Sequence, residues 1–260
     1  MFELQRGDRP ILISMPHLGT QIPESLRAGF SDVACAVPDT DWYVDRLWSF
    51  AHGVSVIKPH CSRYVIDLNR PSDDQSLYPG QVTTGLCPTE TFDGVALYRP
   101  GCEPDAAAIQ SRVEHYWLPY HQALQAELSR LRERFGAVLL IDAHSIKSQV
   151  PRLFAGQLWD INVGTNDSQT LSPTLEQALM DRLALQSNYS YVLNGRFKGG
   201  YITRHYGRPD QRQYAVQFEL SQRRYMDEAS GVYQAGPAAA LQSVLSAVFD
   251  ALQKSLLELV

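Results

Sequence analysis

Five consecutive apolar residues, Ala137 to Ile141 (AVLLI), follow Gly136 and stop abruptly at Asp142-Ala143-His144-Ser145. A run this short, with no polar alternation, predicts a strand buried on both faces. Such strands belong to parallel sheets covered by helices on either side. Other segments repeat the signal. Pro10 to Met15 (PILISM) ends at Pro16-His17-Leu18-Gly19, and Val54 to Pro59 leads into Ser62 to Leu68, which ends at Asn69-Arg70-Pro71. Tyr189 to Leu193 and Tyr214 to Leu220 (YAVQFEL) complete the predicted strands.

Helical periodicity separates these runs. Trp42, Val44, Leu47, Trp48 and Ala51 recur at helical spacing behind Asp39, Thr40 and Asp41, any of which suits an N-cap. A long helix is predicted from Asp105 to Phe135, with Ile109, Val113, Trp117, Tyr120, Leu124, Leu128 and Leu131 along one stripe. Pro119 inside that stripe predicts a kink. Further helices are expected over Pro173 to Gln186 and within Gln234 to Leu259. The alternation predicts an α/β fold, a three-layer sandwich around a mostly parallel central sheet, in one domain spanning residues 1–260. Residues 71–104, rich in Pro, Gly, Thr and Asp, are expected to form a loop that walls or lids a site. Residues 157–172 read as a polar connection, and 195–207 (GRFKGGYITRHYG) as a glycine-punctuated loop dense in basic and aromatic residues.

Composition narrows the function classes. Twenty-eight acidic against 23 basic side chains leave a net charge of −5, which argues against a nucleic-acid partner. No apolar run approaches the ~20 residues that span a bilayer, so no membrane partner is expected. The opening MFELQRGDRP lacks the apolar core of a secretory signal. Cys35, Cys61, Cys87 and Cys102 form no CxxC pair and read as free thiols. The expectation is a cytoplasmic protein acting on a small molecule, with its oligomeric state left open.

In open α/β sheets ligands bind beyond the carboxyl ends of the strands. The polar residues there form an unusual set: His17, Asn69 and Arg70, Asp142 and His144, and Glu219. Histidines with a carboxylate make a normal zinc ligand set, and a further carboxylate can serve as general base. Each residue also has an ordinary structural explanation. His17 and His144 can be locally hydrogen-bonded, Asp39 or Asp41 can cap a helix, and Arg70 can close a turn. Glu219 is harder to dismiss, because a carboxylate in an apolar strand is costly unless paired. No GxSxG, P-loop, GxGxxG or HExxH motif occurs, so the usual serine-hydrolase, nucleotide and zincin templates find no support.

The segments PHLGTQIP (16–23), DTDWYVDRLW (39–48), SRYVIDLNRP (62–71), DAHSIKS (142–148), NGRFKGGYITRHYG (194–207) and QFELSQRRYMDE (217–228) closely resemble the N-formylglutamate amidohydrolases. That family is similar in turn to aspartoacylase and the zinc carboxypeptidases. The resemblance implies a zinc-exopeptidase-like fold and one divalent metal, with zinc expected, cleaving N-formyl-L-glutamate to formate and L-glutamate in histidine breakdown. It assigns His17 and His144 as metal ligands. The exopeptidase relatives carry a Glu three residues after the first His, where this chain has Thr20. Asp41 is therefore taken as the third ligand, with Asp39, Asp45 and Glu24 as alternatives. Glu219 takes the general acid/base position, and Arg70 stabilises the oxyanion. The substrate's two carboxylates call for cationic forks. Arg70 and Arg204 are named for them, with Asn69, Lys198, Tyr201 and His205 as further substrate contacts. Two rival readings are a metallo-amidohydrolase for another N-acyl amino acid and a non-catalytic dicarboxylate-binding protein.

Overall fold

Residues 1–77, 80 and 82–260 are described by a computed structural model. Seven strands form one sheet: β1 (Phe2–Gln5), β2 (Ile11–Ser14), β3 (Ser55–Pro59), β4 (Val138–Ile146), β5 (Ile161–Gly164), β6 (Tyr191–Leu193) and β7 (Gln213–Ser221). Their spatial order is β1-β3-β2-β4-β7-β5-β6. The pairs β3–β2, β2–β4, β4–β7 and β5–β6 are parallel, while β1–β3 and β5–β7 are antiparallel. The mostly parallel α/β sheet is as expected.

The helices are α1 (Glu24–Arg27), α2 (Asp32–Cys35), α3 (Val44–Leu47), α4 (Ala106–Arg112), α5 (Leu118–Phe135), α6 (Pro173–Ala184), α7 (Tyr201–Tyr206) and α8 (Ala235–Leu257). They cover both faces. Alternate residues of β4 divide between two cores: Leu139, Ile141 and Ala143 join Leu179, Leu245 and Leu252 of α6 and α8. Val138 and Leu140 join Leu124, Leu128 and Leu131 of α5. This period-two split explains why the AVLLI run has no polar partner positions.

Several sequence expectations are corrected. Ser62 to Leu68 is not a strand but a series of turns, with Val65 N bonded to Ser62 O at 2.9 Å. Its apolar residues Tyr64, Val65, Ile66 and Leu68 are buried by packing on α5 rather than by joining the sheet. The helix expected behind Asp39–Asp41 shrinks to the single turn α3, capped by Tyr43 in the left-handed region (φ 62°). The polar stretch 157–172 hides β5, and the glycine-rich stretch contains α7. Edge strand β1 had no counterpart in the sequence reading.

The kink expected at Pro119 takes a definite form. Val113–Trp117 is a π-helical turn in which Leu118 N reaches back five residues to Val113 O. Pro119 then enters near the start of α5, where its missing N–H is tolerated. Helix α8 is, by length and composition, apolar enough to cross a membrane, although Gln242, Ser243, Asp250 and Lys254 break its apolar run well short of 20 residues. Here Leu241, Leu245, Val248, Phe249, Leu252 and Leu256 are buried in the core on that face of the sheet. Positions 78, 79 and 81 of the expected 71–104 loop lie outside the described residues.

Candidate functional site

The sheet itself brings the chemistry together. Parallel pairing sets His144 of β4 beside Glu219 of β7, and Asp142 beside Gln217. These four share the face that carries Leu140 and Ala215 deeper in the sheet, so the α5-side core ends where the polar cluster begins. Strand β4 runs to Ile146, so His144 sits within a strand rather than beyond one. His17 lies in the loop after β2. Asp41 N donates to His17 O (3.1 Å), which fixes the two residues side by side.

Three ligand-type atoms converge. His17 Nδ1 and His144 Nδ1 are 3.1 Å apart, and Asp41 Oδ2 lies 3.0 Å from His144 Nδ1 and 3.6 Å from His17 Nδ1. All three residues are buried. The outer nitrogens of both rings face carboxylates. His17 Nε2 is 2.6 Å from Asp67 Oδ1, and His144 Nε2 is 3.0 Å from Asp142 Oδ1. Those partners favour protons on Nε2 and leave the Nδ1 lone pairs pointing at Asp41. Two lone pairs and a carboxylate oxygen facing one another need a positive charge between them. The donor set therefore fits a divalent cation, with the carboxylate–histidine support usual at such centres.

Surrounding contacts fix this arrangement. Asp67 also accepts from Arg63 Nη2 (2.7 Å) and Asn69 N (2.8 Å), and Arg63 Nη1 lies 3.7 Å from Asp41 Oδ1. Asn69 Nδ2 donates to Asp142 Oδ2 (3.2 Å) and packs 2.9 Å from His144 Nε2. Thr203 Oγ1 donates to the same Asp142 oxygen (3.1 Å). Burial opposes ionisation of Asp67, but His17 and Arg63 outweigh it and hold its pKa well below the usual range. The Asp41 carboxyl is likewise pulled down against its burial by the two histidines. Burial pushes Glu219 up to about 8, with Asp41 and Asp142 adding to the rise and His144 and Arg63 opposing it. Gln217 bridges outward, accepting from Gly200 N (2.7 Å) and donating to Glu219 Oε2 (3.2 Å).

Above the cluster opens a cleft lined among others by His17, Asn69, Arg70, His144, Gln217 and Glu219. Val82, Thr83, Thr84 and Phe92 of the 71–104 segment form part of its wall. Arg70 is anchored there by Nε to Thr84 O (2.8 Å) and Nη2 to Thr84 Oγ1 (3.1 Å).

Asp41 lies outside the lining of this cleft, and so do four of the substrate contacts named from the sequence. Lys198 pairs with Asp167 (3.0 Å), and Arg204 Nε donates to Gly199 O (2.8 Å). The Tyr201 and His205 rings stack on each other at 4.8 Å. Their stretch serves the site through its backbone instead: Ile202 N donates to Asn69 Oδ1 (2.8 Å) and Tyr201 N to Asn69 O (3.3 Å). Of the alternative carboxylates, Asp39 is occupied by Tyr64 Oη (2.7 Å) and Phe92 N (2.8 Å). Asp45 and Glu24 are exposed. The sequence reading passed over Arg63, Asp67 and Arg196. The first two lie within the turn segment 62–68, where an Arg and an Asp four apart among buried residues were a usable signal.

Fold and cluster together define an α/β protein with a buried His–Asp–His centre, able to hold a cation, at the carboxyl end of a parallel sheet. The chain belongs to the N-formylglutamate amidohydrolase family, whose sequence profile matches residues 9–226. It is 48% identical over 255 residues to the N-formylglutamate deformylase of Pseudomonas aeruginosa, covering 97% of this chain and 96% of that protein. The N-formylglutamate deformylase of Pseudomonas putida is 46% identical over 255 residues, at 97% and 95% coverage. The crystal structure of the Ralstonia eutropha N-formylglutamate amidohydrolase superposes with a TM-score of 0.81 at 24% identity, covering 98% of this chain and 96% of that one. A gene product of Agrobacterium tumefaciens shares the fold at 18% identity, with a TM-score of 0.73 over 97% and 95% of the two chains.

Proposed function

We propose that this protein hydrolyses the formamide bond of N-formyl-L-glutamate, releasing formate and L-glutamate, as a cytoplasmic step of histidine breakdown. The observation that carries the chemistry is the convergence of His17 Nδ1, His144 Nδ1 and Asp41 Oδ2, with Glu219 beside His144 on the neighbouring strand. Near-full-length similarity to two deformylases supports the substrate, and four free cysteines suit a reducing compartment. Kinship with the zinc exopeptidases is part of the same reading, supported by ligands at the carboxyl end of a parallel sheet.

His17, Asp41 and His144 hold the divalent cation, zinc first by donor type. When bound, it polarises the formyl carbonyl and acidifies the attacking water. Asp67 and Asp142 orient the two imidazoles. Glu219 accepts the proton of the attacking water and returns it to the leaving amine. Its burial favours the neutral acid, and a cation in the cluster supplies the opposing charge that frees it as a base. Arg70 donates to the oxygen on which negative charge develops, and Asn69 holds Asp142, the carboxylate behind His144.

The test is elemental analysis of the purified protein beside a formate-release assay with N-formylglutamate. About one divalent ion per chain is expected, with turnover lost on chelation and restored by zinc. Turnover that survives exhaustive chelation sinks the metal assignment, and absence of formate from the metal-loaded protein sinks the substrate.

A further inference from the structure

Three guanidinium groups line the cleft, those of Arg63, Arg70 and Arg196. Their partners separate them in depth. Arg63 is bound to the cluster itself, through Asp67 (2.7 Å) and Asp41 (3.7 Å). Arg70 spans from the cluster to the wall, since Nη1 donates to Asn69 O (3.1 Å) while Nε and Nη2 hold Thr84. Arg196 sits against the outer wall. Its Nε donates to Leu153 O (2.9 Å) and its Nη2 to Val82 O (3.2 Å).

One short strap thus carries both outer arginines, Arg70 on Thr84 and Arg196 on Val82. Residues two apart have Cα atoms no more than about 7 Å apart even in a fully extended chain. The surroundings of Arg196 are apolar: its guanidinium lies 5.4 Å from the Phe197 ring centre, and Phe197 packs edge-on against Phe154 (6.1 Å) beside Leu153. An anion meeting Arg196 there does so beside partly buried aromatic side chains.

We infer that Arg196 reads the substrate's side-chain carboxylate, and that the Val82–Thr84 strap fixes its distance from Arg70. This deepens the reading of the site as a formylglutamate hydrolase and rests on it. Arg70 holds the reacting end beside Asn69. Arg196 receives the carboxylate at the far end of the side chain, and Leu153 and Phe197 cover the methylenes between. Selection for a dicarboxylate then comes from a guanidinium charge fixed in the cleft wall, and selection for glutamate over aspartate from the strap's fixed span.

The experiment compares wild type with Arg196→Met and Arg196→Lys on N-formylglutamate, its neutral isostere N-formylglutamine, and N-formylaspartate. Arg196→Met should lower kcat/KM on N-formylglutamate about 10- to 100-fold, the size of one lost charge-assisted contact, and change N-formylglutamine less than about threefold. Arg196→Lys should recover part of the loss. Equal losses on both substrates, or discrimination preserved in Arg196→Met, overturn the inference. Calorimetry with L-glutamate and L-glutamine separates it from the activity itself. Wild type should prefer glutamate and Arg196→Met should not, whatever the formate assay gives. Thermal unfolding verifies that both variants are folded.

Discussion

Replacing Glu219 by glutamine in the metal-free protein should stabilise it, increasingly so as pH rises. The carboxyl is buried, and its pKa is pushed from the ordinary 4.5 up to about 8. Below pH 4.5 the group is protonated in folded and unfolded chains alike, and glutamine matches it in shape and charge. Between pH 4.5 and about 8 the unfolded chain gives up the proton while the folded chain keeps it. Wild-type stability therefore falls relative to the variant by about 1.4 kcal/mol per pH unit across that window, and levels off above it. The difference amounts to about 3 kcal/mol at pH 7 and about 4 kcal/mol at pH 8, approaching about 5 kcal/mol above it. Denaturant titrations of chelated wild type and Glu219→Gln, from pH 4.5 to 8.5, measure it, because titrating groups that do not interact with Glu219 cancel in the comparison. Once metal is restored, the variant should keep near-normal metal content and release no formate. Two stability curves that stay parallel over the whole range would refute the reasoning about Glu219's environment. Wild-type turnover in the variant would remove Glu219 from the chemistry.

Asp67→Asn should weaken metal binding about 10- to 100-fold, the usual cost of losing a carboxylate behind a ligating histidine. The amide would present a donor to His17 Nε2 and turn the Nδ1 lone pair away from its task; competition against a chelator of known affinity checks this, and an unchanged metal affinity would argue against it. Gly200→Ala should impair turnover without touching any ligand, because a Cβ there would lie 2.4 Å from Asn69 Nδ2. Loss of rate with metal content retained is the expected outcome, read from kinetics and elemental analysis on one preparation.

How much of this was legible in the sequence depends on which contacts carry each element. The AVLLI run announced β4 because burial on both faces leaves no polar position, and that is a local property. His17, His144 and Glu219 were identifiable because each follows or interrupts an apolar run whose ends a parallel sheet must bring together. The segment 62–68 misled because its apolar residues are buried by α5 while its polar ones close an ion network, and periodicity does not distinguish a buried turn from a buried strand. Helix α7 was hidden by the glycines before it, although Gly200 is there because Asn69 leaves no room for a side chain. The basic residues of 195–207 were counted as one cluster, yet only Arg196 among them lines the cleft. Which of Arg196, Lys198 and Arg204 faces inward depends on α7 and its neighbours, not on charge. Strands β1 and β5 are four residues each and take their stability from their partners rather than from a pattern of their own.

The π turn at Val113–Trp117 has a consequence for how this helix can tolerate change. A turn that bonds five residues back holds one residue more than a regular helix would use, so everything after it is rotated by roughly 100° relative to an unbroken helix. Trp117 Nε1 thereby meets Arg70 O (2.9 Å), and His121 Nε2 meets Leu68 O (2.9 Å), both just behind Asn69. Deleting a single residue between 113 and 117 would repair the helix and still leave it long, soluble-faced and well formed. It would also swing the indole and the imidazole off the backbone they brace, so the more regular protein would be the poorer catalyst.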